Sequence, residues 1–289
     1  MKKIDLHLHV LPDNASQQRL ERGITANKMI EQLLSLGIAK GVLMSGGEFT
    51  SLIGGFAVNE EVRQIANTYP EHFSWMCNID ETDTDTIYER LALYKSQGAI
   101  GIGELILNKR IDYPFLEALF TAAESLDMPI TIHMSSEEGF KYGIVDEPGL
   151  PLLEDLLRRH PNLKILGHSQ VFWIEISGDA PTGKEERYKT GKGLVLPGGR
   201  LVELFEKYPN LYGDLSANSA GKAIMRDPEF GLKFLETFSN RLFFATDMIN
   251  STTIYPLGAW LDEQVSCGNL SKETYDKICF QNAQRIFGL

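Results

Sequence analysis

The 289-residue chain has few cysteines and no long apolar run. Its three cysteines, Cys77, Cys267 and Cys279, form neither a disulfide framework nor a CxxC pair, which favours free thiols in a reducing compartment. No apolar run approaches the ~20 residues that a membrane-spanning helix needs. The first residues predict a strand and carry no signal-peptide pattern, so we expect a cytoplasmic protein without a membrane partner.

Positive charge is also in deficit. The chain has 28 Lys and Arg residues against 39 Asp and Glu residues, which gives a formal net charge of -11. This acidity disfavours non-specific attraction to nucleic acid or to an anionic membrane surface. We therefore expect a small-molecule substrate and no nucleic-acid partner, while a homo-oligomer is left open.

Strand-like and helix-like patterns alternate along the chain at roughly the spacing of a βα unit. The predicted strands are 3–9, 39–45, 73–79, 99–104, 129–134, 163–168, 210–216 and 241–247. With no break in composition, this predicts an α/β fold, a (β/α)8 TIM barrel formed by one domain over residues 1–289. A doubly wound open sheet is the alternative, because it also collects ligands at strand ends.

One interval between predicted strands is longer than the others. Residues 170–199, after the sixth strand, are punctuated by glycine and proline and carry several charges. Such an insertion is either an active-site lid or a solvated surface loop. We favour the lid and expect an active-site loop.

Histidine is scarce, yet it lies where metal ligands would be expected. The opening segment, residues 3–10, alternates strictly and places Asp5, His7 and His9 on one face. An HxH pair on its own is more simply explained as the polar face of an edge strand. The later strands alter that balance, since apolar runs end in His133, His168 and Asp247.

The remaining two histidines lie elsewhere. His72 and His160 follow predicted helices, where the helix dipole favours a histidine, and we interpret both as structural. Asp5 and Asp214 either orient a ligand or are packing residues satisfied by backbone. The sequence leaves these two readings equal.

Five segments together resemble the ligand motifs of the amidohydrolase superfamily, in its amidohydrolase-related (amidohydrolase family 2) branch. They are IDLHLH at 4–9, GIGE at 101–104, ITIH at 130–133, LGH at 166–168 and ATD at 245–247. NAQRIF at 282–287 is similar to the tail helix of that branch. Since the first and eighth strands both carry motifs, the sheet must close for the ligands to meet.

The resemblance implies a ligand set of one or two ions. In the binuclear arrangement one metal is held by His7, His9 and Asp247, a second by His133 and His168, and Glu104 bridges them. In a mononuclear arrangement Glu104 is only hydrogen-bonded near the barrel mouth, and His168 contacts substrate or water. Imidazole and carboxylate ligands suit zinc, which we favour, as well as manganese, iron or nickel.

The expected chemistry follows from the ion. Metal coordination lowers the pKa of water towards ~7 and polarises a carbonyl. Asp247 is the expected proton shuttle, with His168 as a second catalytic residue. We expect a metal-dependent hydrolase that uses metal-activated hydroxide on an amide, lactone or other ester bond of a small, carboxylated metabolite.

Three other functions compete with hydrolysis. A mononuclear metal-dependent decarboxylase, a lyase, is the first alternative, and Glu104 discriminates because a bridging carboxylate has no role in a one-metal site. A metal-dependent phosphodiesterase or deoxyribonuclease is disfavoured by the acidic charge. A silent binding module is disfavoured because it would leave a costly cluster of imidazoles and carboxylates.

Substrate contacts are predicted at three positions. Arg187 in the insertion has the planar fork that binds carboxylates, although most loop charges are merely solvated. Trp173 either walls an apolar substrate or anchors the loop. Asn218 lies just beyond the seventh predicted strand and is a third candidate.

Replacing Asp247 by Asn tests the shuttle. The amide keeps an oxygen for a metal but cannot accept a proton, so we expect turnover to fall by about 100-fold or more while most of the bound metal stays. Elemental analysis and steady-state rates on the same preparation check this. Retained turnover would remove Asp247 from the proposed role.

Overall fold

The computed structural model describes residues 2–53 and 55–289, and its inner layer is a ring of parallel strands. Each predicted strand is present, most of them shorter than expected. In chain order they are β1 (Lys3–Leu8), β2 (Ile38–Leu43), β3 (Phe73–Trp75), β4 (Ile102–Leu105), β5 (Ile130–Ser135), β6 (Ile165–His168), β7 (Leu211–Asp214) and β8 (Leu242–Phe243).

The ring of strands is closed. Regular parallel pairing forms two runs of neighbouring strands. One runs in the order β1, β2, β3, and the other in the order β4, β5, β6, β7, β8. A bridge between Cys77 and Ile102 connects β3 to β4, while Leu6 N donates to Phe244 O at 3.1 Å and Leu8 pairs with Met248. The (β/α)8 barrel is therefore confirmed, and the open-sheet alternative is wrong.

Helices surround the ring and cover its outer face. They are α1 (Gln17–Leu20), α2 (Ala26–Ser35), α3 (Asn59–Thr68), α4 (Ile87–Ser96), α5 (Pro114–Ser125), α6 (Pro151–Arg159), α7 (Gln170–Trp173), α8 (Arg200–Lys207), α9 (Ala217–Met225), α10 (Pro228–Thr237), α11 (Leu257–Ser266), α12 (Lys272–Asp276) and α13 (Asn282–Phe287). Three of them begin with proline, whose missing N–H costs nothing in the first turn. Among the described residues, none of these helices has the length and apolarity to cross a membrane.

Three further short strands lie at the rim of the barrel. Val10–Leu11 pairs with Ile24–Thr25, and Ile144–Val145 runs beside the end of β5. Because backbone hydrogen bonds fix these segments, the loops that follow β1 and β5 are anchored close to the barrel mouth.

The interior of the barrel is a small apolar cluster separate from the main core. Leu166, Tyr212 and Ala245 belong to it, each two residues before a polar strand-end residue and so on the same face. Ala283 and Phe287 of α13 join this cluster, and the Phe287 ring lies 5.6 Å from that of Phe243. The tail helix thus closes the end of the barrel opposite the strand termini.

The strict alternation predicted for β1 is interrupted. The pairing register between β1 and β2 shifts between Asp5 and Leu8. Leu6 packs in the small apolar cluster inside the barrel, whereas Leu8 packs in the main core. An irregularity of this kind re-aims side chains at the end of a strand, a common feature beside functional sites.

The insertion begins as a helix and then packs onto the loop after β5. Val171, Phe172 and Trp173 of α7 are buried in the main core. Farther along, the Tyr188 hydroxyl lies 2.8 Å from Ser135 Oγ, and Ser136 Oγ donates to Lys184 O at 2.9 Å. The insertion therefore lies against the barrel rim, with its first part, residues 171–177, buried.

The approach of α7 to β6 depends on a glycine. A Cβ at Gly167 would overlap the Phe172 ring. We expect Gly167→Ala to lower the free energy of unfolding by about 1–3 kcal/mol through overpacking. Urea denaturation measures this change.

Gly221→Ala in α9 is the matched control. Its new Cβ would meet only Met225 Cε at 3.4 Å and Leu257 Cβ at 3.6 Å, and helix propensity favours alanine. Equal stabilities for the two variants would show that the α7 packing tolerates a side chain at Gly167.

Candidate metal centre

Six ligand-type side chains converge at the carboxyl ends of the barrel strands. They are His7, His9, Glu104, His133, His168 and Asp247, the set predicted from the sequence. Five of these side chains are at most 8% exposed, while that of Asp247 is 25% exposed. The cluster is therefore buried, and Asp247 is its most accessible member.

One half of the cluster lies at the end of β1. His7 Nε2 and His9 Nε2 are 3.1 Å apart. Glu104 Oε2 lies 3.7 Å from the first and 3.4 Å from the second of these nitrogens. Asp247 Oδ1 lies 3.6 Å and 3.3 Å from the same two atoms.

The other half lies at the ends of β5 and β6. Glu104 Oε1 is 2.5 Å from His133 Nδ1 and 3.5 Å from His168 Nε2. Asp247 Oδ2 lies 3.7 Å from His168 Nε2. The two oxygens of Glu104 thus face two different histidine pairs.

The separations between 3.1 and 3.7 Å fit divalent metal ions, whereas the 2.5 Å between Glu104 Oε1 and His133 Nδ1 is a direct hydrogen-bond distance. Ligand atoms about 2.1 Å from an ion, at tetrahedral angles, are about 3.4 Å from one another. Three overlapping triads of His, Glu and Asp atoms, each within 4.8 Å, are present among the described residues. Burial, with the nearby His7 charge, lowers the pKa of His168 to about 4, so its ring is neutral and its lone pair available at neutral pH.

Asp214 orients the His7 ring. Its Oδ2 lies 2.6 Å from His7 Nδ1, and its Oδ1 accepts the Ser216 N–H at 3.0 Å. Asp214 keeps a proton on His7 Nδ1, so Nε2 is the nitrogen that faces the cluster and that a bound ion would take as its ligand. Of the two readings that the sequence left open for Asp214, ligand orientation is the one that the structure supports.

Ser216 performs a similar role for His168 and was not predicted. Its Oγ lies 2.7 Å from His168 Nδ1, so Nε2 is directed at Glu104 and Asp247. A serine near a strand end is too common for its sequence position to indicate this contact.

Asp5 holds the two edges of the closed ring together without touching an imidazole. Its Oδ1 accepts the backbone N–H groups of His7 and Thr246, and its Oδ2 accepts the Thr246 hydroxyl at 2.6 Å. Burial, only partly offset by these hydrogen bonds, raises the pKa of Asp5 to about 7. Asp5 therefore positions ligand-bearing backbone.

Left-handed backbone is concentrated beside the cluster. Ser169, Ala217 and Asp247, which follow β6, β7 and β8, have φ values of 95°, 56° and 59°. Non-glycine residues seldom adopt such angles, and they persist where surrounding structure enforces them, often at functional sites.

Aromatic rings flank the cluster on two sides. Phe56 stacks on His9, with ring centroids 4.2 Å apart and planes at 24°. Tyr142 lies against His133, with centroids 4.4 Å apart and planes at 47°. Neither ring was predicted, since both come from loops that carry no periodic pattern.

The three residues predicted to contact substrate have protein partners. Trp173 is buried, and its Nε1–H donates to Asp214 O at 3.1 Å. Arg187 is buried and donates to Asp146 O at 2.7 Å. Asn218 is half-buried and donates to Ile254 O at 3.3 Å. Substrate contact by these residues stays a prediction.

The histidines outside the cluster are separate from it. His160 Nδ1 lies 2.9 Å from Glu124, and its Nε2 lies 3.0 Å from Glu117, both on α5. His160 therefore ties the end of α6 to α5, in agreement with a structural role.

A closed barrel with four histidines and two carboxylates at its strand ends is typical of (β/α)8 barrel enzymes that bind a metal. The amidohydrolase family model matches residues 4–289. The chain belongs to this family. No curated protein matches the chain by sequence.

Solved structures share the fold at low sequence identity. A 2,6-dihydroxybenzoate decarboxylase from Rhizobium is 15% identical with a TM-score of 0.63, covering 100% of this chain and 99% of its own. A probable 2-pyrone-4,6-dicarboxylic acid hydrolase from Acinetobacter baumannii, with citric acid bound, is 16% identical with a TM-score of 0.60 and full coverage of both chains. A 5-carboxyvanillate decarboxylase from Novosphingobium aromaticivorans, complexed with manganese, is 16% identical with a TM-score of 0.65, covering 99% and 96%.

Asp214→Asn tests the orientation of His7. Losing the carboxylate that accepts from Nδ1 should weaken metal binding by about 10–100-fold, because partners of this kind raise ligand basicity and fix the ring. Competition with a fluorescent chelator measures the affinity. Asp112→Asn, which changes an exposed carboxylate paired with Arg110, is the control. Equal affinities in both variants would contradict this role for Asp214.

Proposed function

We propose that the chain is a metal-dependent hydrolase with a binuclear centre, cleaving an amide, lactone or other ester bond in a small carboxylated metabolite. The observation that carries this proposal is the position of Glu104. Each of its oxygens faces a different histidine pair, the arrangement expected of a carboxylate that bridges two ions.

A divalent ion bound at this cluster lowers the pKa of water towards ~7 and polarises a substrate carbonyl. Asp247 is placed to handle the proton. Its side chain is the most exposed of the six, and its two oxygens lie between His9 and His168. The Asp247 carboxylate accepts the proton of the attacking water and passes it to the leaving amine or alcohol.

Zinc is the ion we propose, because nitrogen and oxygen donors at these separations suit it. Manganese is the second choice, supported by the manganese in the 5-carboxyvanillate decarboxylase structure. The buried imidazoles of His7 and His168 exclude water from the ligand atoms, which strengthens their interaction with any bound cation.

The carboxylated substrate is supported by the relatives that share the fold. One is a probable hydrolase of a dicarboxylic acid and holds citric acid, and two are decarboxylases of aromatic acids. We also propose that residues 1–289 act as one domain and that 170–199 is its active-site loop. Tyr188 from this loop lies at the end of β5 and supports that placement.

A mononuclear decarboxylase is the second candidate. Glu104 Oε1 and His133 Nδ1 are 2.5 Å apart, which is a direct hydrogen-bond distance. If that hydrogen bond persists in the working enzyme, His133 and Glu104 satisfy each other, and a single ion is held by the remaining ligands. Two of the relatives described above are decarboxylases, which favours the same candidate.

Metal content separates the two candidates. The wild type, purified without chelator, should hold about two ions per chain, and Glu104→Gln should hold about one and lose hydrolysis by about 100-fold or more. Elemental analysis and a screen of lactones, amides and aromatic acids measure these quantities. Glu138→Gln, an exposed carboxylate after β5, should match the wild type.

One ion in both the wild type and Glu104→Gln would contradict the bridged centre. Release of carbon dioxide from an aromatic acid by that one-ion protein would assign the chain to the lyases instead.

A further inference from the structure

The Tyr142 ring is held beside the cluster of ligand-type side chains by the residue that follows it. Gly143 has φ +111°, and a Cβ there would lie 2.8 Å from His133 Cδ2. Gly143 N donates to Ile106 O at 2.9 Å, and the short strand Ile144–Val145 continues along β5. The backbone therefore passes against His133 at a distance that only glycine allows, and the Tyr142 ring is fixed beside the imidazole.

The hydroxyl of Tyr142 has no hydrogen-bond partner among residues 2–53 and 55–289. The residue is 45% exposed at the barrel mouth. The neighbouring Tyr188 differs, because its hydroxyl contacts Ser135 Oγ and accepts the Ser136 N–H. A phenol keeps its proton at neutral pH, so Tyr142 presents a hydrogen-bond donor beside the metal ligands.

Lys141, the residue before Tyr142, adds a positive charge near the end of β5. Its Nζ lies 4.1 Å from the centroid of the Tyr188 ring, the side chain that contacts the end of β5. No carboxylate of the described chain lies within ion-pair distance of this ammonium, which is held only by aromatic faces. A cation–π contact is worth about 0.5–1 kcal/mol at an exposed site, so the charge remains available to an anion.

Lys184, on the same part of the barrel rim, has its charge compensated by a carboxylate. Its Nζ lies 5.2 Å from the centroid of the Phe140 ring, and it also pairs with Glu137 at 3.0 Å. Arg187, the residue that the sequence suggested for a carboxylate, donates to two backbone carbonyls and lies 3.5 Å from Glu175. Of these three cations of the rim, Lys141 alone keeps its charge uncompensated by a carboxylate.

We propose that Lys141 and Tyr142 form a subsite for the carboxylate of the substrate, next to His133. The ammonium and the phenol supply one charged and one neutral donor, and hydrogen bonds to a charged group are the stronger kind. The subsite holds the non-reacting carboxylate while the scissile carbonyl lies at the ligand cluster. This inference rests on the proposed function, since it requires an occupied metal centre beside the subsite.

Pairs of simple acids test the subsite without knowledge of the substrate. The probes are glutarate against butyrate and isophthalate against benzoate, each titrated calorimetrically into manganese-loaded protein. In each pair one carboxylate can bind at the metal, and only the dicarboxylate has a second carboxylate for the subsite. The wild type should prefer at least one dicarboxylate by about 10-fold or more.

Lys141→Gln and Tyr142→Phe should each reduce that preference by about 5-fold or more, leaving metal content, Tm and monocarboxylate affinity unchanged. Lys184→Gln is the matched control and should keep the wild-type preference. Since Lys141 is exposed, its substitution tests the subsite even if a change at Tyr142 disturbs folding.

The outcomes separate this inference from the proposed function. A wild type without dicarboxylate preference, or a preference equal in Lys141→Gln, Tyr142→Phe and wild type, would overturn the subsite while metal-dependent probe binding left the metal centre intact. Loss of metal in Tyr142→Phe would also overturn it, because the hydroxyl would then be supporting the metal ligands instead of binding substrate. A wild type that bound neither metal nor probe would overturn both.

Discussion

The hydrogen bond from Asp247 N to His7 O, 2.9 Å long, joins the two strands whose ligands are farthest apart in the chain. It lies at the seam where β8 meets β1, and Asp5 reinforces that seam through Thr246. Closure of the sheet and assembly of the ligand cluster are therefore one event. Without this seam, His7 and His9 would be at one edge of an open sheet and Asp247 at the other.

The eight strands and the six ligand-type residues could be predicted because both are written in short-range patterns. Apolar runs that end in His133 or His168 carry the strand and the ligand together. Phe56, Tyr142 and Ser216 lie in irregular segments, and their contacts depend on how loops fold back over the rim. The sequence pattern predicts a loop at Trp173, whereas this residue ends α7 and is buried in the core.

The interior electrostatics explain why so many polar groups surround the ligands. Asp5, Glu104 and Asp214 are all buried, the last two against imidazoles, and burying carboxylates is costly unless they are paired. The carboxylates of Asp214 and Asp247 raise the pKa of His7 well above its usual value even though burial opposes this. Cations bound at the cluster would take over this compensation, so metal binding and fold stability are linked.

The seam between β8 and β1 also sets the order in which the molecule can mature. Contacts this distant in sequence carry a large loop-closure cost and form late in folding. The ribosome makes His7 and His9 long before Asp247, so neither can meet Asp247 until the segment that carries β8 has been made. The full ligand set therefore assembles only once the segment that carries Asp247 has been made and has paired with β1.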